Sequence, residues 1–156
     1  MDSREFRNAL GRYPTGIAVI SAHGADGRLV GLTANSVTPV SADPVRLAWS
    51  LGASSKTRIV FEQADYFSVN ILASNQVNIA QQFASPIPDR YVDISYELAG
   101  CHRLPKIDGS LAWYACRLLE SSVVGDHVMF IGEVTESEVS DGAPLLYFAG
   151  RFAQIH

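Results

Sequence analysis

Two long β-prone runs, joined by a turn, constrain the fold of this chain more than any other feature of its sequence. Residues 110–124 and 128–139 are rich in β-branched and apolar side chains, and Gly125 and Asp126 lie between the two runs. Glycine and aspartate together are typical turn residues of a β-hairpin. The sequence therefore predicts a long hairpin in this region.

The remainder of the chain favours further strands with few helices. Alternating or continuous apolar patterns predict strands over residues 17–22, 29–37, 45–51, 66–72 and 145–155. The turn residues 24–27 join the first two of these strands into another hairpin, and Asp43-Pro44 closes it. Many antiparallel strands with few helices are typical of a closed or partly closed barrel.

Three short helices are predicted beside these strands. The first begins with Ser3 as its cap and ends at Gly11, the second covers residues 56–63, and the third begins after the cap Asn75. Apolar pairs mark their expected buried faces, which are Phe6 with Leu10, Ile59 with Val60, and Ile79 with Phe83. Residues 86–108 contain prolines, aromatic residues and glycine, and we expect them to form a loop that covers the site.

Length and composition bound the possible functions. A chain of 156 residues with 47% hydrophobic and 18% charged residues is about one ordinary globular domain, so we read no boundary within residues 1–156. Its net charge of −4 provides no basic surface for nucleic acid. The charged first residues lack the apolar segment of a signal peptide, and no run is as long as a membrane span. We therefore expect a cytoplasmic protein without nucleic-acid or membrane contacts.

The cysteines and histidines predict no metal site. Cys101 and Cys116 lack a Cys-x-x-Cys spacing, so we expect both thiols to be structural. The spacings of the four histidines fit no zinc pattern; these residues are His23, His102, His127 and His156.

A polar segment inside a β-prone run is the first indication of a binding site. Residues 31–44 carry small hydroxyl and amide side chains where packing alone would favour valine or isoleucine. Farther along, Ser54-Ser55-Lys56-Thr57 opens the second predicted helix, and hydroxyls with a lysine at a helix start suit a phosphate. For the second segment alone, an ordinary helix cap followed by a solvated lysine is the alternative. Together the two segments predict a site for a phosphorylated cofactor.

Across nearly its whole length the chain resembles the flavin reductase family, whose members have the FMN-binding split-barrel fold. The resemblance depends on the order and spacing of short motifs, which are Tyr13-Pro14-Thr15-Gly16, Thr33-Ala34-Asn35-Ser36, Val40-Ser41 with Asp43-Pro44, Ser55-Lys56-Thr57, Phe67-Ser68-Val69-Asn70-Ile71-Leu72, Gln82-Phe83-Ala84, Gly125-Asp126-His127 and Pro144-Leu145-Leu146-Tyr147-Phe148-Ala149-Gly150-Arg151-Phe152. It implies a mainly β fold, a six-stranded antiparallel split barrel with Greek-key connections and a few short helices. It also implies an NAD(P)H:flavin oxidoreductase that supplies reduced flavin to a partner monooxygenase and works as a homodimer. FMN or FAD would be the flavin, and NADH or NADPH the co-substrate.

The resemblance further implies which residues bind these molecules. The expected flavin-binding residues are Thr33, Ala34, Asn35, Ser36, Val40, Ser41, Ser55, Lys56, Thr57, Gln82 and Phe83, and the expected nicotinamide-binding residues are His127, Phe148 and Arg151. Among them, Ser55, Lys56 and Thr57 would take the flavin phosphate. We expect no catalytic side chain, because hydride transfer from nicotinamide C4 to flavin N5 needs no acid or base and depends on positioning two rings.

Alternative interpretations exist for the function and for several of the expected binding residues. A non-enzymatic flavin carrier or electron-transfer protein would use the same fold, and an oxidase of pyridoxamine phosphate would need a more basic phosphate pocket. Gln82 and Phe83 could serve only to pack their helix, and His127 could be an exposed turn residue. Pro39 and Arg46 depart from the usual family pattern, and Pro39 removes one N–H donor near the ring. The identity of the flavin is therefore left open.

Overall fold

The fold consists mainly of short antiparallel strands. The computed structural model describes residues 1–155. Its helices are α1 (Ser3–Leu10), α2 (Arg58–Gln63) and α3 (Val77–Phe83), and its strands are β1 (Thr15–Gly16), β2 (Ala18–His23), β3 (Leu29–Ala34), β4 (Thr38–Ala42), β5 (Val45–Gly52), β6 (Tyr66–Ile71), β7 (Tyr96–Ala99), β8 (Leu104–Ile107), β9 (Ala112–Val124), β10 (His127–Val139), β11 (Leu146–Phe148) and β12 (Arg151–Ala153). His156, one of the histidines considered above, lies outside the described residues. Within residues 1–155, no helix is both long enough and apolar enough to cross a membrane.

The main sheet is built around the predicted long hairpin. Within residues 1–155 it has seven strands in the order β3-β2-β6-β9-β10-β5-β4, with every neighbouring pair antiparallel. The hairpin β9–β10 has Val124 opposite His127, and Gly125 adopts the positive φ of 61° that its turn requires. The predicted long hairpin and the β2–β3 hairpin are both confirmed, as is the mainly β fold class.

A short connection between the two edge strands forces this sheet to curl. The edge strands β3 and β4 are joined by residues 35–37 alone. Four consecutive Cα steps reach at most roughly 14 Å, whereas the edges of a flat seven-stranded sheet lie about 29 Å apart. The sheet therefore bends until its edges meet at this end. The expected count of six strands is wrong, and in the described part of the chain no ladder joins β3 to β4, so the barrel is not closed.

The inner face of the curled sheet holds an aromatic core. The Trp49 ring stacks on Phe130 with 4.4 Å between ring centroids, and Phe61 of α2 meets Trp49 edge-on at 5.0 Å. All three side chains are at most 2% exposed. Such aromatic pairs contribute about 0.5–1.5 kcal/mol each beyond their burial, so they hold β5, β10 and α2 together.

The helix α3 covers the outer face of β2 and β3. Successive strand residues point to opposite faces, so Ile20 belongs to the inner core while Val19 packs outside with Phe83 and Ala80 of α3. The Phe83 ring lies directly over Gly31, where an added Cβ would come within 2.5 Å of the ring. Gly31 is thus the residue that allows α3 to approach β3 closely.

Residues 86–108 do not form the expected loop over the site. They contain the antiparallel hairpin β7–β8, whose second strand packs against β6 and β2. The carbonyl of Pro105 in β8 accepts hydrogen bonds from Ser68 of β6 at 2.8 Å and from Trp113 at 3.1 Å. The prediction of a covering loop is wrong, because these buried donors fasten the segment to the sheet.

The carboxyl-terminal segment also differs from its prediction. In place of one strand over residues 145–155, β11 and β12 form a hairpin that pairs through β11 with β1. Ala149 and Gly150 make its turn with φ of 49° and 81°. An alanine with positive φ is uncommon, so the local sequence gives a weak turn signal.

Three helix details are corrected by local geometry. The cap of α1 is Asp2, whose carboxylate accepts from the backbone N–H groups of Arg4 and Glu5 at 2.8 Å, so Ser3 is the first helical residue. In α2, Ile59 is 55% exposed and Phe61 is the buried residue. The residue before α3 is Gln76, one position after the expected cap.

The packing of α3 on β3 predicts the effect of adding one methyl group. Gly31→Ala should lower the free energy of unfolding by about 1–3 kcal/mol, because the buried Phe83 ring must move to make room. Urea denaturation measures this, with Gly52→Ala as the matched control, since an added Cβ there meets no atom within 4 Å. Equal stability of the two variants would contradict the packing described here.

Candidate functional site

A large cavity opens beside the connection between the edge strands. Its volume is about 1130 Å³, above the range of roughly 300–1,000 Å³ usual for one small-molecule ligand. The lining residues come from both ends of the chain and from the sheet, and they are Arg7, Asn8, Leu10, Gly11, Arg12, Tyr13, Pro14, Thr15, Gly16, Ile17, Ala18, Ala34, Asn35, Ser36, Val37, Thr38, Ser50, Ile71, His127, Tyr147, Ala149 and Gly150. The cavity has room for more than one ring system.

The connection 35–37 is fastened to the sheet by one serine. The Ser36 hydroxyl accepts from the Ser50 backbone N–H at 2.9 Å and donates to the Ser50 carbonyl at 3.2 Å. These bonds continue the β4–β5 ladder beyond Thr38, where β4 begins. The backbone around Asn35 is thereby held at the cavity wall.

The same end of β5 brings the hairpin turn into the site. Gly52 lies opposite His127 in the β5–β10 ladder, and the Ala53 N–H donates to the Asp126 carbonyl at 2.8 Å. Because Ser50 and Gly52 are two residues apart on one strand, their side-chain positions share a face of the sheet. The expected residues Ala34, Asn35, Ser36 and His127 therefore line one cavity.

The lysine-bearing turn lies next to this end of the cavity. The Ser55 N–H donates to the Gly52 carbonyl at 2.9 Å, and the Ser55 and Thr57 hydroxyls are 3.0 Å apart. Lys56 between them is exposed. The turn does not line the cavity wall itself, but it is anchored to the strand residue that pairs with His127.

Two groups of expected flavin-binding residues lie away from the cavity. The Thr33 hydroxyl donates to the Ala80 carbonyl of α3 at 2.6 Å, so this side chain points to the outer face of the sheet. Val40 and Ser41 lie farther along β4 and are not among the lining residues. The alternation of side chains on β3 and the length of β4 thus leave these three residues outside the cavity wall, and their contact with a flavin stays a prediction.

The helix α3 is also directed away from the cavity. Phe83 is fully buried and meets Tyr91 edge-on at 4.9 Å, and the Gln82 amide donates to the carbonyls of Arg90 and Val92 at 2.9 and 2.7 Å. Neither side chain lines the cavity. These contacts agree with the alternative that Gln82 and Phe83 serve only to pack their helix.

At the carboxyl-terminal hairpin, neighbours of the expected residues form the wall. Tyr147 and the turn Ala149-Gly150 line the cavity, whereas Phe148 and Arg151 flank that turn without being among the lining residues. The carboxyl-terminal hairpin thus lies at the cavity, but the side chains that face the cavity are not those of Phe148 and Arg151.

The wall contributed by α1 and the residues after it was not expected. Arg7, Asn8, Arg12 and Tyr13 line the cavity, because Thr15 pairs with Tyr147 and the Gly11 carbonyl accepts from the Ala149 N–H at 2.9 Å. The motif that begins at Tyr13 indicates that this segment matters in the family. Hydrophobic periodicity alone does not predict that the two ends of the chain pair with each other.

The charges that line the cavity have one sign. Of the described lining residues none is an aspartate or glutamate, whereas Arg7, Arg12 and His127 supply cationic or protonatable groups. The chain as a whole carries a net charge of −4. A cavity that differs in sign from its surroundings attracts anionic ligands.

His127 is oriented by the preceding residue. Its Nδ1 lies 2.8 Å from an Asp126 carboxylate oxygen. The hydrogen bond from His127, together with the attraction to its charged form, lowers the pKa of Asp126 below its usual value. When Nδ1 carries the proton of the neutral ring, Nε2 is a free acceptor for a ligand amide.

Metal ligation finds no support in the described residues. Cys116 is buried in the core, where desolvation raises its thiol pKa to about 12, and Cys101 is exposed. Within residues 1–155, no group of three or more histidine, cysteine or carboxylate side chains could hold a metal ion.

Comparison with known proteins gives a consistent match. The family model described as "Flavin reductase like domain" matches residues 10–156. The "Probable flavin reductase" of Rhizobium meliloti is 36% identical over 97% of this chain and 48% of its own length. The "FMN reductase (NADH) SmoA" of Agrobacterium fabrum is 34% identical over 98% of this chain and 86% of its own length. The chain thus spans about half of the first relative and most of the second.

Solved structures agree with these relatives. The structure titled "Flavin reductase PheA2 in native state" has a TM-score of 0.91 and 36% identity, covering 100% of this chain and 99% of that one. The styrene monooxygenase flavin reductase from Pseudomonas putida has a TM-score of 0.88 and 31% identity, with 97% of both chains covered.

The role of Ser36 leads to a stability prediction. Ser36→Ala removes both bonds to Ser50 and leaves a backbone N–H without its partner, so unfolding free energy should fall by about 1–3 kcal/mol. Urea denaturation measures the loss, and Ser41→Ala on the neighbouring edge strand serves as the control. If both variants unfold alike, Ser36 does not fasten the connection.

Proposed function

Because this chain belongs to the flavin reductase like domain family, we propose that it is an NAD(P)H-dependent flavin reductase. It transfers a hydride from nicotinamide C4 of NADH or NADPH to N5 of FMN or FAD. The flavin supplies the redox chemistry when bound, and the protein supplies a place where two flat rings meet.

One observation carries this proposal. The curled sheet brings the backbone of residues 34–38 and the His127 turn to a single cavity that is free of carboxylates among its described lining residues and large enough for two ligands. Small side chains such as Ala34 and Ser36 allow a flat ring to approach the backbone closely. The residues present therefore fit a flavin nucleotide.

The chemistry of the lining agrees with hydride transfer. The described lining residues lack a carboxylate that could act as a general base, and the proposed step needs none. The task of the chain is to hold two rings at reacting distance, which converts an encounter between two molecules into a step within one complex. Positioning by backbone and small side chains is sufficient for that task.

Residues in the cavity wall and in the turn beside it have proposed roles. Ala34, Asn35 and Ser36 contact the flavin ring and ribityl chain, and Ser55, Lys56 and Thr57 bind its phosphate with two hydroxyls and one positive charge. His127 offers Nε2 to the nicotinamide carboxamide. Thr33 contributes its backbone, because its side chain points to the outer face of the sheet, where the hydroxyl donates to the Ala80 carbonyl. The other expected residues stay predictions without support from the cavity wall; they are Val40, Ser41, Gln82, Phe83, Phe148 and Arg151.

The proposal extends to partners and organisation. The styrene monooxygenase flavin reductase is named for a monooxygenase, and we propose that this chain also supplies reduced flavin to a flavin-dependent monooxygenase. We further propose that residues 1–156 form one split-barrel domain and that two copies form a homodimer. Exposed apolar side chains on adjacent strands support the dimer; they are Val40, Val45, Val123, Val124 and Met129. The cytoplasmic location stays a prediction.

An absorbance assay tests the proposed activity. Mixing the chain with NADH and FMN, and separately with FAD, should give a loss of NADH absorbance that depends on the flavin. The same mixtures with NADPH show which co-substrate is used. Saturable flavin binding without NADH or NADPH oxidation would instead support the carrier alternative, and absence of both would contradict the proposal.

Removing the lysine charge tests the phosphate assignment. Lys56→Ala should raise the dissociation constant for FMN about tenfold, because one charged hydrogen bond to the phosphate is lost. Flavin fluorescence titration measures this, and riboflavin, which lacks the phosphate, should bind both forms alike. Lys106→Ala is the control, since Lys106 pairs with Glu97 and Glu138 on another surface. An unchanged FMN affinity would show that Lys56 is only a solvated residue after a turn.

A further inference from the structure

The geometry points to a second phosphate subsite, at the α1 end of the cavity, where Arg7 and Arg12 bind the diphosphate of a dinucleotide. This inference rests on the proposed function, because the dinucleotide is then either the pyridine nucleotide or FAD. Neither arginine is among the residues that the family resemblance implies for binding.

The two arginines belong to the cavity wall that α1 contributes, whereas the lysine-bearing turn is anchored to Gly52, which pairs with His127. Arg7 is in the last turn of α1 and Arg12 follows the helix end, where the Gly11 carbonyl is bonded to Ala149 of the carboxyl-terminal hairpin. From there the wall continues through Ala18, which lies opposite Ala34 in the β2–β3 ladder. The wall also includes Ser50 and His127, which belong to β5 and β10 of the main sheet and not to the α1 wall.

The arginine charges are available to a ligand. In the part of the chain that the structure describes, neither Arg7 nor Arg12 forms an ion pair, and both are exposed at the cavity wall. The acidic residues of α1 are at its other end, where Asp2 and Glu5 form the capping box. A guanidinium presents several N–H donors in a plane, which suits two phosphate oxygens at once.

The carboxyl end of a helix carries partial negative charge, which would repel a bound anion at this place. The partial negative charge there belongs to carbonyl groups without partners. In α1 the carbonyls of Arg7, Ala9 and Leu10 accept backbone hydrogen bonds from residues 11–13. Because these carbonyls are occupied and two full positive charges lie beside them, attraction of an anion prevails.

The phosphate of FMN, as assigned above, does not occupy the subsite at Arg7 and Arg12. FMN carries one phosphate, which is assigned to Ser55, Lys56 and Thr57 beside Gly52. A dinucleotide carries a diphosphate in addition to its reacting ring. A cavity of about 1130 Å³ that has Arg7 and Arg12 in one wall and the lysine-bearing turn anchored beside it therefore matches a flavin together with a second nucleotide portion.

The test uses the full chain with Arg7→Gln, Arg12→Gln and the double variant. Arg4→Gln is the matched control, since Arg4 lies on the same helix and is not among the lining residues. Four constants are measured: KM for NADH and for reduced nicotinamide mononucleotide with FMN fixed, and Kd for FAD and for FMN by fluorescence. Thermal midpoints show whether the variants fold like the unmodified chain, as expected for exposed side chains.

The double variant should raise one dinucleotide constant about tenfold or more and leave its mononucleotide counterpart unchanged. A change for NADH identifies the pyridine nucleotide as the occupant, and a change for FAD identifies the flavin dinucleotide. Inorganic pyrophosphate should compete with that dinucleotide in the unmodified chain and about tenfold more weakly in the double variant.

Two results would overturn the inference. In one, the double variant behaves like Arg4→Gln in all four constants. In the other, mononucleotides and dinucleotides weaken equally, which would show only a general attraction of anions. If the unmodified chain does not oxidise NADH or NADPH, the proposed function fails, but the comparison of FAD with FMN still tests the subsite.

Discussion

The three-residue connection between the edge strands is the constraint on which the rest of this structure depends. Because residues 35–37 cannot bridge the width of a flat seven-stranded sheet, the sheet curls and its inner face closes on an aromatic core of Trp49, Phe61 and Phe130. Curling places the end of β3 beside the end of β5, where Ser36 bonds to Ser50. The cavity is a consequence of this closure, since its central wall is the connection itself.

The functional conclusion follows from what that wall contains. Small side chains and backbone groups face the cavity, and the described lining has arginine and histidine but no carboxylate. Such a lining suits an anionic, flat molecule and offers little acid–base chemistry, in agreement with the proposed hydride transfer between two rings. Relatives named as flavin reductases cover nearly the whole of this chain, in agreement with that reading of the site.

Local patterns predicted the parts of the fold that depend on neighbouring residues. The β9–β10 and β2–β3 hairpins were predictable because turn residues and β-prone runs adjoin each other. The sequence predicts one strand over residues 145–155 where there are two, because Ala149, an unusual residue at positive φ, begins the turn between them. Whether Thr33 or Ala34 faces the cavity depends on where α3 packs, and the α1 wall depends on Thr15 meeting Tyr147 from the other end of the chain. Such contacts leave no periodic signal in the sequence.

The most direct test of the central claim is a crystal structure of this chain with FMN bound. We expect the flavin ring to lie against the backbone of residues 34–38, with the phosphate at Ser55, Lys56 and Thr57 and one ring face open toward His127. Flavin bound elsewhere would contradict it, for example in the smaller cavity lined by His23, Asp26, Tyr66 and His102.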